Sequence, residues 1–182
     1  MESRRPDIVC FVNGIPLVVI EAKRPDGNAK KGPTIDEGIS QSLRNQRHDE
    51  IPLLFAYSQM LVSINGNEGR YGTCGTPAKF WAAWREEDIS DAEMYALKNK
   101  TLKNERIAGL FSHRPAKDLD WYKSLTAAGE LAVTGQDQLL ISLLSPTRLL
   151  DMTRYFTLFD KKAGKIVARY QQYEGANKII DR

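Results

Sequence analysis

Ile8–Val12 and Ile15–Ile20 are short apolar, β-branched runs on either side of Asn13-Gly14, a pattern that predicts a β-hairpin. Glu21-Ala22-Lys23 closes the second run, and a polar, Gly/Pro-rich loop is expected from Arg24 to Pro33. Thr34-Ile35-Asp36-Glu37 has the form of a capping box with Thr34 as N-cap. Ile35, Ile39 and Leu43 recur at i, i+4 and i+8, which predicts an amphipathic helix running to about His48. Leu53–Tyr57 and Met60–Ile64 read as strands, Asn65-Gly66 opens a turn, and Arg70–Thr73 and Phe80–Trp84 continue the strand pattern. Beyond Glu86-Glu87-Asp88 the pattern becomes helical. Ala92–Leu110 carries Met94, Leu97, Leu102, Ile107 and Leu110 among charges, and Gln136–Leu144 and Thr147–Phe156 lie on either side of Pro146. Ile166-Val167-Ala168 leads, as a short strand or turn, into a helix over Gln171–Ile180. The expected architecture is a β-rich N-terminal half packed with one long helix, followed by a helical C-terminal half.

Composition narrows the class without naming a function. The chain has 182 residues, 42% hydrophobic and 27% charged, which fits one domain with a short piece of a second at roughly 100–200 residues per domain. This balance excludes a disordered or collagen-like chain. No apolar stretch approaches the roughly 20 residues that cross a bilayer. The opening Met-Glu-Ser-Arg-Arg-Pro-Asp has no apolar core behind its basic residues and does not read as a signal peptide. Cys10 and Cys74 lie far apart in the chain, so they read as reduced thiols of a cytoplasmic protein and not as a metal cluster or disulfide scaffold. A net charge of +3, from 26 Lys and Arg against 23 Asp and Glu, is too mild to mark a nucleic-acid binder. Function has to be read from a local constellation.

That constellation is Pro6-Asp7 followed by Glu21-Ala22-Lys23. Strand side chains alternate, so Glu21 and Lys23 share a face just beyond the buried run Val18-Val19-Ile20, and Asp7 begins the neighbouring strand. Two carboxylates offer hard oxygen ligands to Mg²⁺, and the backbone carbonyl of Ala22 is a further candidate ligand. Such a metal polarises a phosphoryl group and activates a bound water, while Lys23 orients that water or offsets transition-state charge. The chemistry that fits is phosphodiester hydrolysis. An Asp opening a strand and a Glu-x-Lys closing one also arise as plain surface residues, because strand ends are where solvent begins, and the local pattern alone leaves both readings open.

Register decides whether the carboxylates can meet. A two-residue Asn13-Gly14 loop pairs Val12 with Ile15 and hence Asp7 with Ile20, which puts Asp7 and Glu21 on opposite faces. A three-residue loop, Val12-Asn13-Gly14, with Gly14 left-handed as a bulge, pairs Phe11 with Ile15 and Asp7 with Val19 and restores the shared face. The bulged loop is the expectation, and Pro16, which cannot donate to the ladder, already implies some irregularity. On the following helix Gln41 and Asn45 stand one turn apart, with Arg44 beside them, placed to position metal waters or touch DNA. Trp81, Trp84 and Tyr57 could stack on bases, although strand aromatics are more often core. The basic run Lys98, Lys100, Lys103 and Arg106 reads most simply as a solvated helix face.

The stretch Arg5-Pro6-Asp7-Ile8-Val9, with Val12-Asn13-Gly14-Ile15-Pro16-Leu17-Val18-Val19-Ile20-Glu21-Ala22-Lys23, resembles the nuclease core of the restriction (R) subunit of type I restriction-modification enzymes, within the PD-(D/E)XK nucleases. Ile51–Tyr57 and Ser63-Ile64-Asn65-Gly66 are similar to the segments that follow in that family. The resemblance implies an α/β fold, a central mixed β-sheet flanked by helices with a helical C-terminal region. It makes Asp7 and Glu21 metal-binding carboxylates and Lys23 the catalytic lysine. Gln41 matches the glutamine of the family's Gln-x-x-x-Tyr motif, but Asn45 stands where tyrosine is expected. Ala168–Tyr173 resembles the segment before the family's motor domain, with Gln172 as the adenine-contacting glutamine. No Gly-x-x-x-x-Gly-Lys-Ser/Thr phosphate loop occurs, so ATP hydrolysis by that route is not expected of this chain.

The division implied is a nuclease core over 1–90, a helical region over 91–160, and the start of a motor domain over 161–182, in a chain that reads as N-terminally truncated. The function implied is Mg²⁺-dependent cutting of double-stranded DNA after ATP-driven translocation by the complete subunit, with methylation and specificity subunits as partners. The alternative is a catalytically silent fragment that binds DNA or partner subunits without cutting.

Overall fold

Asn13 and Gly14 both take positive φ, 50° and 80°, the conformation that a two-residue hairpin turn of matching twist requires. They join β1 (Ile8–Val12) to β2 (Ile15–Ala22) in a computed structural model that describes residues 4–25 and 34–180. β2 runs parallel to β3 (Met60–Ile64), and β3 is antiparallel to β4 (Gly69–Gly72), giving a mixed sheet ordered β1-β2-β3-β4. A parallel pair needs a crossover. Here it contains α1 (Ile35–Asn45) and α2 (Pro52–Tyr57).

Both faces of the sheet are covered, which is why every residue of β3 is buried and all but Ser63 are apolar. On one face Val19 and Leu61 pack with Ile39 of α1, Phe55 of α2 and Trp81. On the other, Val18, Ile20, Met60, Val62 and Ile64 pack against Tyr71, Trp84 and side chains from the C-terminal helices. Those helices are α6 (Gly135–Gln138), which continues as a π-helical turn over Leu139–Leu143, then α7 (Pro146–Tyr155) and α8 (Tyr170–Ile180). Leu139, Leu143, Leu149, Met152 and Tyr173 are their contributions to the core. The fold is α/β, a mixed sheet between helices, as the sequence implied.

Between α7 and α8 a hairpin, β5 (Thr157–Asp160) with β6 (Gly164–Val167), forms a second small sheet. Lys165 ties it to the first by donating to the Ser58 carbonyl and to Gln59 Oε1, at 2.8 and 2.6 Å. A further tie is Arg148, whose guanidinium lies 5.4 Å from the Trp84 ring centre and 5.4 Å from that of Tyr173 and is ion-paired with Glu86 and Asp88.

The described chain divides into two compact units, residues up to Asp88 together with those from Thr134 onward, and Ile89–Val133. The second unit comprises α3 (Asp91–Lys98), α4 (Asn104–Phe111) and α5 (Ala116–Ala127). Ser90 and Glu93 cap α3 reciprocally, Asn99 bonds both the N–H and the carbonyl of Leu131, and Met94 is the buried hydrophobic residue of these helices. No helix among the described residues is long and apolar enough to cross a membrane.

Several local expectations are corrected. Leu53–Tyr57 is helical, not a strand, because Pro52 supplies a preset φ at the helix start and the buried Phe55, with Leu54 packed beside it, anchors the turn in the core. Phe80–Trp84 is a short 3₁₀ turn over Ala78–Phe80 and a single bridge between Tyr71 and Ala82. The helix expected over Ala92–Leu110 breaks between Lys98 and Asn104, and neither α5 nor β5 had an apolar period to announce it. Thr34 stands at the N-cap of α1 without a side-chain cap bond, and α1 ends at Asn45, short of His48. Residues 26–33 of the anticipated loop lie outside the described residues.

Candidate active site

The hairpin carries a bulge, but not in its turn. Val12 pairs with Ile15 and Phe11 with Pro16, after which Cys10 pairs with Val18, so Leu17 is an extra residue in β2. The three-residue loop expected from the sequence is therefore wrong in place. Asn13 and Gly14 satisfy a two-residue turn by themselves, and the irregularity falls next to Pro16, which has no N–H for the ladder. The shared face is the anticipated one, but the register differs by two residues from the expected pairing of Asp7 with Val19, because the extra residue lies in β2 and not in the loop on the β1 side. Val9 pairs with Val19 and Ile8 with Ile20, so the register carries Asp7 opposite Glu21.

The two carboxylates meet at this end of the sheet. Asp7 is exposed, and its Oδ2 accepts the Ala22 backbone N–H at 2.9 Å. Glu21 is 0% exposed. Burial, and after it the charge and proximity of the Asp7 carboxylate, push the Glu21 carboxyl up to about 7, against the opposing pull of Lys23 and Arg44. Its Oε1 receives the Asn45 Nδ2 at 3.4 Å, while its Oε2 is buried with no hydrogen-bond partner.

Lys23 continues the same face one pleat on. Its backbone N–H donates to the Ile64 carbonyl at 2.7 Å, and its Nζ donates to Gln41 Oε1 at 2.6 Å. Gln41, Arg44 and Asn45 reach the strands because α1 lies close over them, with Ile35, Gly38, Ile39, Ser42 and Asn45 on its buried side. Gly38 makes that approach possible: a Cβ there would lie 2.2 Å from Ser63 Oγ. Ser63, which pairs with Glu21 in the ladder, is fully buried and donates to the Ile35 carbonyl at 2.9 Å. Sequence reasoning missed both residues, although a glycine inside an amphipathic helix was the available signal for one of them. It also missed Arg4, which pairs with Glu50 at 2.9 Å and anchors the chain just ahead of Asp7.

Asp7, Glu21, Ala22, Lys23, Gln41, Arg44 and Asn45 are thus brought together. Gln172 stands at the start of α8, where its Oε1 accepts the Arg169 N–H at 2.9 Å. Trp81 and Trp84 are buried core residues, whereas Tyr57 is exposed.

The donor set suits a hard divalent cation. No group of three or more His, Cys, Asp or Glu side chains able to hold a metal occurs among the described residues. A cation at this point would be held by the two carboxylates and backbone oxygen such as that of Ala22, in the manner of Mg²⁺, which retains several waters. The orphaned Glu21 Oε2 fits that role, since a buried carboxylate oxygen without a donor is costly until a positive charge meets it.

These features define a mixed-sheet α/β domain with a carboxylate pair and a lysine at the strand ends. Residues 1–80 match the family model described as the type I restriction enzyme R protein N terminus. The type I restriction enzyme HindI endonuclease subunit of Haemophilus influenzae is 31% identical over 183 residues, covering 98% of this chain and 14% of the relative. The MjaIXP endonuclease subunit of Methanocaldococcus jannaschii is 28% identical over 180 residues, with the same coverage of 98% and 14%. A Staphylococcus aureus type I restriction endonuclease subunit is 37% identical over 67 residues, 37% of this chain and 6% of its own. The chain spans about 14% of the length of the first two.

Proposed function

We propose that the chain is the Mg²⁺-dependent DNA-cleaving module of a type I restriction R subunit, a PD-(D/E)XK nuclease. The observation that carries this reading is the meeting of Asp7 with a fully buried Glu21 whose Oε2 has no partner. Asp7, Glu21 and the Ala22 carbonyl would hold the cation. When bound, it supplies Lewis-acid polarisation of a phosphoryl oxygen and lowers the pKa of a coordinated water.

The protein's own groups do the rest. The Ala22 N–H fixes one oxygen of Asp7 and leaves the other for the site. Gln41 holds the Lys23 Nζ by accepting one of its hydrogens, so the remaining hydrogens point where a water or a non-bridging phosphate oxygen can take them. Arg44, on the same helix, adds positive charge beside the carboxylates, where a DNA phosphate would approach.

The relatives are named endonuclease subunits of type I restriction enzymes, and on that footing the substrate is double-stranded DNA and the partners are methylation and specificity subunits. ATP-driven translocation belongs to the complete subunit. There Gln172, whose oxygen is already taken by the Arg169 N–H, has its amide NH₂ left to meet an adenine. The protein would act in the cytoplasm, where such DNA is encountered.

Two substitutions test the reading in the assembled enzyme. Asp7→Ala and Lys23→Ala abolish DNA cleavage while ATP hydrolysis continues, and Asp7→Ala but not Lys23→Ala loses Mn²⁺ binding in a titration of the chain. Cleavage unchanged in either variant overturns the assignment. A wild-type assembly that binds DNA and never cuts it with Mg²⁺ makes the module a silent binding element instead.

A further inference from the structure

Asn45 is 1% exposed, so its amide is out of reach of a nucleic-acid backbone. It is held between two neighbours. Arg44 Nη2 donates to its Oδ1 at 3.3 Å, and its own Nδ2 donates to Glu21 Oε1 at 3.4 Å. These contacts depend on one another. A guanidinium has donors only, so it selects the carbonyl end of the amide, and the NH₂ end is then the one that faces the carboxylate. Turned the other way, the amide would set its oxygen against the ionised carboxylate and its NH₂ against a cation. The result at Glu21 is asymmetry: Oε1 is engaged and Oε2 is buried and free.

We propose that Asn45 is a positioning residue, which holds Glu21 so that Oε2 is presented to a divalent cation shared with Asp7, and that Arg44 sets the direction of the Asn45 amide. The inference rests on the metal-site reading above and adds a residue that acts through Glu21 without touching the substrate. Outer partners of metal-binding carboxylates orient the ligand and contribute to affinity, and their loss weakens binding by about 10–100-fold.

The test is a Mn²⁺ titration of the chain, followed by water-proton relaxation, with folding of each variant checked by circular dichroism. Asn45→Ala weakens Mn²⁺ binding about tenfold. Arg44→Ala weakens it too, and Arg44→Ala/Asn45→Ala is no weaker than Asn45→Ala alone, because the two act in series. The sign for Arg44 is the discriminating result. Removing a positive charge from beside the site would by itself tighten cation binding, so weaker binding is not what bulk electrostatics produces, and unchanged circular dichroism sets it apart from a packing loss.

Should Asn45→Ala fail to fold, Asn45→Ser and Arg44→Ala carry the comparison. Unchanged affinity in the Asn45 variants, or tighter binding in Arg44→Ala, overturns the inference while Glu21→Gln, losing Mn²⁺, still upholds the metal site. Wild-type affinity in Glu21→Gln, or no binding by the wild type, overturns both.

Discussion

Asp7 lies across the hairpin from Glu21 because Leu17 is one residue too many for the strand that faces β2. A bulge normally reads as a local kink. Here it moves a carboxylate from one face of the sheet to the other, since a shift of one residue inverts every side chain beyond it. Deleting Cys10, which pairs with Val18, should bring Asp7 opposite Ile20 and abolish Mn²⁺ binding, whereas deleting Leu17 should leave Asp7 opposite Glu21. Leu17→Ala keeps the register and should retain binding, while losing about 2–5 kcal/mol of stability as a buried side chain is truncated. Urea denaturation and Mn²⁺ titration of these variants separate register from packing.

Glu21 should make stability depend on pH with a sign opposite to that of a salt-bridged carboxylate. Burial and the neighbouring Asp7 raise its carboxyl from 4.5 to about 7. Between those values the folded protein keeps a proton that the unfolded chain has released, so stability falls as pH rises and levels off above about 7. The loss is no more than about 3 kcal/mol. Glu21→Gln should flatten the profile between pH 5 and 8. Mg²⁺ should restore wild-type stability at pH 8 and have little effect at pH 5, where the site is protonated. Denaturation at the two pH values, with and without the metal, gives the comparison.

Gly38 sets the distance between α1 and the site. An alanine Cβ there would lie 2.2 Å from Ser63 Oγ, and turning Ser63 away would sacrifice its bond to the Ile35 carbonyl. Gly38→Ala should cost about 1–3 kcal/mol and, by lifting the helix, separate Gln41 from Lys23. Gly38→Ala/Ser63→Gly should recover part of the stability. Thermal melting of the single and double variants reads both effects.

Arg148 is the corresponding pin on the opposite side of the sheet. It sits between Trp84 and Tyr173 and is paired with Glu86, whose side chain is 1% exposed. Arg148→Ala leaves that carboxylate without its guanidinium and should cost about 3–5 kcal/mol. Arg148→Met/Glu86→Gln, which removes both charges, should cost less. Denaturant midpoints of the two variants decide it.

The sequence displayed the hairpin, the central strand, α1 and the residues that converge at the site, because each rests on a short-range signal: Asn-Gly, a mostly apolar run, or helical spacing. It misplaced the bulge because turn arithmetic counts residues, whereas the ladder fails where Pro16 withholds an N–H. Leu53–Tyr57 was misread because five apolar residues carry no period that separates a helical turn from a buried strand. Ser63 and Gly38 were invisible as site residues, since their roles depend on how closely a helix lies over a strand, which no local pattern encodes.

β1 has a single neighbour in the described sheet, so half of the carboxylate pair rides on its outermost strand. Fraying of that strand alone would carry Asp7 off and leave Glu21 behind in β2. With a cation held as proposed, hairpin closure and cation capture would be thermodynamically one event. By mass action, each tenfold rise in free metal above its dissociation constant makes the strand about tenfold harder to peel away. Amide hydrogen exchange along Ile8–Val12 would slow with added Mg²⁺, while β3, buried between its neighbours, would keep its rate.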